Sequence, residues 1–306
     1  MIEVYKYGGN LLKDENNRKK IYNFIKCKNN EGIKIIMVVS AFGRENDYFS
    51  TDNLSKNIEL LNNEDKDKII TFGEIYSSLI IKNELLREGI KANSVSYEEI
   101  GIECDDNYGN GTIVNVDMSY LEELIAYYDV VVVPGFIGVS SEGKIISLGR
   151  NTSDLTGVII SDYFKLNKVN IIKEVDGVFK KDPKKGDSKV INMLSYEEML
   201  MMIKAGSKMF SKKTLEYAKD RNIIIEIKGL DKEEGTIISD IKSNEDILFV
   251  DEENGYIKIV FKDMEIFNKL FDSLVKEKIK LEELFIVNNI VYLKGDIDKI
   301  KKELAL

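Results

Sequence analysis

The chain has 306 residues, 43% of them hydrophobic and 32% charged, and a net charge of −9. No apolar run approaches the ~18–20 residues of a membrane span, no signal-peptide pattern opens the chain, and the acidic balance without a basic stripe argues against nucleic acid as a partner. There is no histidine and only two cysteines, Cys27 and Cys104, which excludes Ser-His-Asp and Cys-His mechanisms, the usual zinc sites and a disulfide scaffold. A cytoplasmic protein acting on small molecules is expected.

The first element, over 4–10, reads Val-Tyr-Lys-Tyr-Gly-Gly-Asn: a short apolar strand that stops in a Gly-Gly turn with Lys6 just inside it. Gly8 and Gly9 let backbone N–H groups approach an anion, and Lys6 adds a point charge suited to phosphate. Further apolar runs predict strands at 33–40, 130–134, 169–173 and 223–227. Between them, helical spacing predicts helices over 16–28, 66–88, 121–128, 153–164 and 196–222. Apolar strands alternating with helices imply an α/β fold: a mostly parallel sheet flanked by helices on both faces, with ligands at the strand C-terminal ends.

The order changes near residue 240. Strands at 247–250 and 256–261, a helix over 265–279, strands at 283–287 and 290–293 and a helix over 297–304 make a small C-terminal α+β module. Phe267, Leu270, Phe271, Leu274 and Val275 follow the amphipathic helical rule. Two domains are therefore expected, 1–240 and 241–306, with a short join.

Taken singly, the Gly-Gly turn is also an ordinary turn, and Gly149-Arg150-Asn151-Thr152-Ser153-Asp154 is also a polar loop. In sequence they describe a place for a polyphosphate opposite a small acid. Phosphoryl transfer needs charge neutralisation and alignment more than covalent chemistry. Lys6 can stabilise the transferring group and Asp154, early in a helix, can organise the cations around it. A loop over 173–185 gathers five lysines against three acids and fits a nucleotide grip. No Gly-x-x-x-x-Gly-Lys-Ser/Thr run and no protein-kinase Gly-rich loop occurs, so a kinase here is of another class.

These motifs resemble those of the amino acid kinase superfamily, and within it most of all the aspartokinases. Lys6-Tyr-Gly-Gly9, Val38-Val-Ser-Ala-Phe-Gly43, Phe72-Gly-Glu74, Gly135-Phe-Ile-Gly138, Leu148-Gly-Arg-x-x-Ser-Asp154, Val175-Asp-Gly-Val-Phe-x-x-Asp-Pro183 and Leu194-Ser-Tyr-Glu-Glu-Met199 through Gly206-Ser-Lys208 match family segments in order. The resemblance implies ATP contacts at Lys6, Gly8, Gly9, Lys173, Glu174, Phe179, Lys184 and Lys208. It implies aspartate contacts at Ser40, Glu74, Arg150 and Ser153, with Lys6 and Asp154 catalytic. Arg150 would take the α-carboxylate and Glu74 the α-ammonium. Mg²⁺ would arrive on the ATP phosphates, with no protein metal cage. The tail resembles one ACT-type module where aspartokinases usually carry two, and its Lys262-Asp263-Met264-Glu265 segment lacks the Pro-Gly that often shapes an effector loop. A module serving mainly in homodimerisation, with weak or absent amino-acid feedback, is therefore expected.

The chain departs from the aspartokinase pattern at several positions. Asn10-Leu11 stands for Thr-Ser, with asparagine there resembling acetylglutamate kinases. Asn151-Thr152 stands for Gly-Gly, Lys173-Glu174 for Thr-Asp, Lys184 for arginine and Lys212 for proline. Two alternatives stay open at this point: a related acyl-phosphate-forming kinase with another amino-acid substrate, and an inactive amino-acid sensor.

Overall fold

The computed structural model describes residues 1–183, 188–287 and 289–303. Eight strands build the central sheet: β1 (Ile2–Tyr7), β2 (Lys34–Val39), β3 (Ala92–Ser94), β4 (Val130–Pro134), β5 (Lys168–Lys173), β6 (Met193–Ser195), β7 (Ile224–Gly229) and β8 (Thr236–Ser239). They run in the order β6-β8-β7-β5-β1-β2-β4-β3, and only the β7–β8 pair is antiparallel.

Strand alternation sends side chains to opposite faces, and both faces here are apolar. Val4, Ile36, Val38, Val131 and Val133 enter one core, while Tyr5, Tyr7, Met37, Val39, Val130 and Val132 enter the other. Helices α1 (Gly9–Lys13), α2 (Glu15–Asn30) and α4 (Asn63–Arg87) cover the second face, with short α3 (Thr51–Leu54) against α4. Helices α5 (Ser119–Tyr127), α6 (Ser153–Tyr163), α7 (Tyr196–Lys204) and α8 (Lys212–Arg221) cover the first. Caps fix where these helices begin: Asp14 accepts from the Asn17 N–H, and Asn62 from the Asp65 N–H.

The expected single helix over 196–222 is two helices. Gly206 takes φ +107°, a left-handed backbone that stops α7, and Ser211 then caps α8 by accepting from the Thr214 N–H. The turn between them carries Lys208 towards the sheet's C-terminal edge. Four short strands missed in the sequence, at Ile102–Cys104, Ile113–Val116, Ile137–Val139 and Ile145–Ser147, form a side sheet. Buried Asp67 of α4 holds it by accepting from the Gly109 and Ser147 N–H groups at 2.9 and 2.8 Å.

The C-terminal segment follows the expected order. Strands β9 (Ile247–Glu253), β10 (Tyr256–Phe261), β11 (Leu281–Val287) and β12 (Ile290–Gly295) form an antiparallel sheet in the order β9-β10-β12-β11, packed by α9 (Met264–Lys276) and α10 (Ile297–Glu303). Phe267 and Leu274 of α9 meet Ile257, Ile259, Phe261 and Leu293, each such burial contributing roughly 1.5–3 kcal/mol. Glu198 of α7 accepts from both the N–H and the hydroxyl of Ser243, and the Val250 N–H donates to the Lys180 carbonyl at 2.7 Å.

Candidate active site

Loops at the C-terminal ends of β1, β2, β4 and β5 enclose one cleft. Alternation along β1 puts Lys6 on the same face as Val4, towards α6. Gly157 of α6 lets the helix close on this strand: a Cβ there would lie 3.1 Å from Val169 and 3.7 Å from the Lys6 Cβ. Gly135, just past β4, does the same for the start of α6, since its Cβ would sit 2.7 Å from that of Ser153. The first turn of α6 thus arrives beside the end of β1.

There the Lys6 ammonium lies 2.7 Å from Asp154 Oδ1. Lys173, at the end of β5, lies 2.9 Å from Asp154 Oδ2. Lys6 and Asp154 are buried and Lys173 is half-buried, with side-chain exposures of 7%, 4% and 12%. Burial alone would raise the Asp154 carboxyl, but the two ammonium charges outweigh it and hold Asp154 below its ordinary value. Burial pushes Lys173 down, with Asp154 opposing. Lys173 also donates to the Met209 carbonyl at 2.5 Å and lies 4.5 Å from the Phe210 ring centroid.

Glu74 on α4 faces the other end of the cleft and is 2% exposed. Burial lifts its carboxyl to about 8; hydrogen bonds from the Ala41 backbone and the Thr51 hydroxyl, with the Lys6 charge, only partly oppose this. Its Oε2 has no hydrogen-bond partner among the described residues, an arrangement that suits a cationic ligand. Gly73 admits the 44–55 segment against α4, since a Cβ there would meet the Phe49 carbonyl at 2.2 Å. That segment brings Asp52 to the exposed guanidinium of Arg150, and the two form an ion pair.

The cleft gathers Lys6, Gly8, Gly9, Ser40, Glu74, Arg150, Ser153, Asp154, Lys173, Glu174 and Lys208, all of which the sequence had singled out. Phe179 is not part of its lining; it pairs with Val190 in a short hairpin. Lys184 lies outside the described residues. The expectation that both glycines offer N–H groups needs correction, because the Gly8 N–H is held by the Ile172 carbonyl at 3.0 Å. Gly9 has a different constraint: a Cβ would stand 2.1 Å from the Ala41 carbonyl.

The structure adds residues that no motif reading marked: Arg44, Thr51, Asp52 and Met209. All but Met209 come from a polar, aperiodic segment, and Asn151 joins the lining as well. Asn151, one of the departures, adopts φ +60°, a conformation that asparagine tolerates better than most side chains. Behind it, Lys213 donates to Asn110 Oδ1 and to the Gly111 and Leu148 carbonyls at 2.8, 3.0 and 3.1 Å, bracing the loop before Arg150.

Known proteins resemble this chain in sequence and in fold. The model of the amino acid kinase family matches residues 1–229. Aspartokinase 1 of Bacillus subtilis is 28% identical over 244 residues, covering 78% of this chain and 60% of the relative. The aspartokinase of Geobacillus stearothermophilus is 30% identical over 254 residues, covering 81% and 61%. The chain therefore spans about three fifths of the length of the curated relatives it matches. Escherichia coli aspartokinase III, solved with aspartate and ADP, superposes with a TM-score of 0.68 at 18% identity over 97% of this chain and 79% of that one. Clostridium acetobutylicum aspartate kinase gives 0.63 at 22% identity over 100% and 82%. At these identities the structural likeness is one of fold.

Proposed function

The chain belongs to the amino acid kinase family, and on that premise we propose that it transfers the γ-phosphoryl group of ATP to the side-chain carboxylate of L-aspartate, forming 4-phospho-L-aspartate. This is the entry step to lysine, threonine, methionine and diaminopimelate. The observation that carries the reading is one cleft with two chemically distinct ends: a buried lysine–aspartate pair at Lys6 and Asp154, and an amino-acid-like pair of counter-groups at Glu74 and Arg150. Aspartate is favoured as the acceptor because the similar proteins are aspartokinases, one of them solved with aspartate and ADP.

In this reading the Arg150 fork exchanges Asp52 for the substrate α-carboxylate, Glu74 takes the α-ammonium, and the hydroxyls of Ser40 and Ser153 orient the β-carboxylate. That carboxylate is ionised at neutral pH, so no general base is needed. One of its oxygens bonds to the γ-phosphorus as the bond to the β–γ bridging oxygen breaks, and the electron pair leaves on ADP. Lys6 neutralises the charge of the transferring group, and Asp154 keeps its ammonium oriented. Gly9, Lys173, Glu174 and Lys208 hold the nucleotide. Phe179 and Lys184 remain ATP contacts by resemblance alone.

Among the described residues no cluster of three or more acidic or cysteine side chains offers a metal cage, and both Asp154 oxygens already face lysines. Glu174 is the carboxylate in the cleft able to add an oxygen to an Mg²⁺ held mainly by the phosphates. That ion would neutralise the phosphates and help align them.

Residues 1–240 are read as the catalytic domain and 241–306 as an ACT-like module that pairs two copies. Edge strand β11 supports this: Leu284, Phe285, Ile286 and Val287 are 38–52% exposed beside an unpaired backbone edge. Among the described residues no helix is long and apolar enough to cross a membrane. A hydroxamate assay with Mg-ATP and, in turn, aspartate, acetylglutamate and glutamate tests the function. Product with aspartate alone is expected. Turnover of another acceptor, or amino-acid binding without turnover, would replace the reading.

A further inference from the structure

We propose that Lys173 is a second catalytic ammonium, meeting the γ-phosphoryl group beside Lys6. The proposal deepens the kinase reading above and rests on it. The resemblance implies only a nucleotide contact at this position, and the aspartokinase pattern has threonine there.

The placement follows from the sheet. β1 and β5 are adjacent parallel strands, with Lys6 opposite Ile171. Ile171 enters the same core as Val4, so two-residue alternation puts Lys173 on the face that Lys6 occupies. Both ammonium groups then reach the same carboxylate from different sides, one at each oxygen of Asp154. Lys173 is the more exposed of the two and lines the cleft.

Donor counting gives the site its purpose. Each ammonium has three N–H groups. Lys6 and Lys173 each form an ion pair with one oxygen of Asp154, which engages at most one N–H apiece, and Lys173 donates another to the Met209 carbonyl. These contacts leave at least three N–H groups for an anion at the cleft. The charge count agrees: two lysines against one carboxylate leave this largely buried cluster one positive charge in excess, with the nearby Glu174 and Arg44 offsetting one another. A buried excess cation is costly without a counter-ion, and a transferring phosphoryl group, with negative charge on its equatorial oxygens, supplies one.

A purely structural lysine would tie the 206–210 turn to α6 and do no more. Nucleotide binding separates the two roles without requiring any acceptor substrate. Calorimetry with Mg-ADP and with the Mg complex of an ATP analogue bearing a β–γ imido bridge would be run on the wild type, Lys173→Met and Lys173→Gln. Glutamine retains a donor for the Met209 carbonyl. In both variants the analogue is expected to lose about 10-fold or more in affinity while ADP stays within about 3-fold. Lys173→Arg should keep the preference for the analogue. Equal losses for the two nucleotides in Lys173→Gln, or no loss in either variant, would overturn the proposal. Absence of phosphoryl transfer to aspartate by the wild type would instead remove the substrate reading and leave this nucleotide result standing by itself.

Discussion

The side-chain amide of Asn10 donates to the Glu174 carboxylate across 3.0 Å, joining the first turn of α1 to the segment that follows β5. Both positions depart from the aspartokinase pattern, and they answer each other. The Glu174 backbone N–H, this bond and the nearby Arg44 and Lys173 charges together outweigh burial and keep this carboxyl below its ordinary value. A double-mutant cycle should therefore be non-additive. Asn10→Ala and Glu174→Ala are each expected to raise the KM for ATP by about 3–10-fold, with the double variant no worse than the weaker single one. Additive losses would mean that the two side chains act independently.

Glu74 sets a pH dependence. Burial keeps its carboxyl protonated up to about 8, whereas pairing with an α-ammonium requires the carboxylate. The kcat/KM for aspartate should rise with pH through this range, and Glu74→Gln should lower it about 100-fold and abolish that limb. The sign for stability is opposite. With a folded-state value raised above the unfolded one, the contribution is full below about 4.5 and is lost as pH rises towards 8. Glu74→Gln should therefore melt higher than the wild type at pH 8, by at least about 1 kcal/mol of stability, and show no such gain at pH 4. Equal melting of the two proteins at pH 8 would contradict the burial of an ionisable group.

In the proposed reaction Arg150 takes the α-carboxylate only by leaving Asp52. Asp52→Asn should lower the KM for aspartate about 2–5-fold, because an exposed ion pair of this kind contributes up to about 1 kcal/mol. Arg150→Lys should raise it roughly 10–100-fold through loss of the planar fork, with a smaller change in kcat. An unchanged KM in Arg150→Lys would place the α-carboxylate elsewhere.

Edge strand β11 gives a test of assembly. Ile286→Lys sets a charge on an exposed apolar strand, and light scattering should then report monomer where the wild type is a dimer, with the helical content unchanged. A wild type that is monomeric at micromolar concentration, or a dimer indifferent to the substitution, argues against pairing through this strand.

Much of this was legible in the sequence because the informative residues sit where a strand ends. The continuous apolar runs of β2 and β4 announced a doubly covered sheet, and the motif segments marked eleven cleft residues. What escaped was mostly non-local. Asp52 and Arg44 occupy an aperiodic polar stretch, and only packing of that stretch against Gly73 brings them to the cleft. The break between α7 and α8 was hidden because residues on both sides keep helical spacing, and one left-handed glycine decides it. The side sheet was missed because its strands are three or four residues long, too short for alternation to register. Asn10 and Glu174 read as separate departures, since a contact across 164 positions leaves no local trace.

Phosphorus NMR of the wild type with Mg-ATP and L-aspartate tests the central claim most directly. An acyl-phosphate resonance should grow in step with ADP, and Lys6→Met should slow its appearance by about 10²–10³-fold or more. ATP that stays intact beside aspartate, or a Lys6→Met variant that forms the acyl phosphate at the wild-type rate, would contradict it.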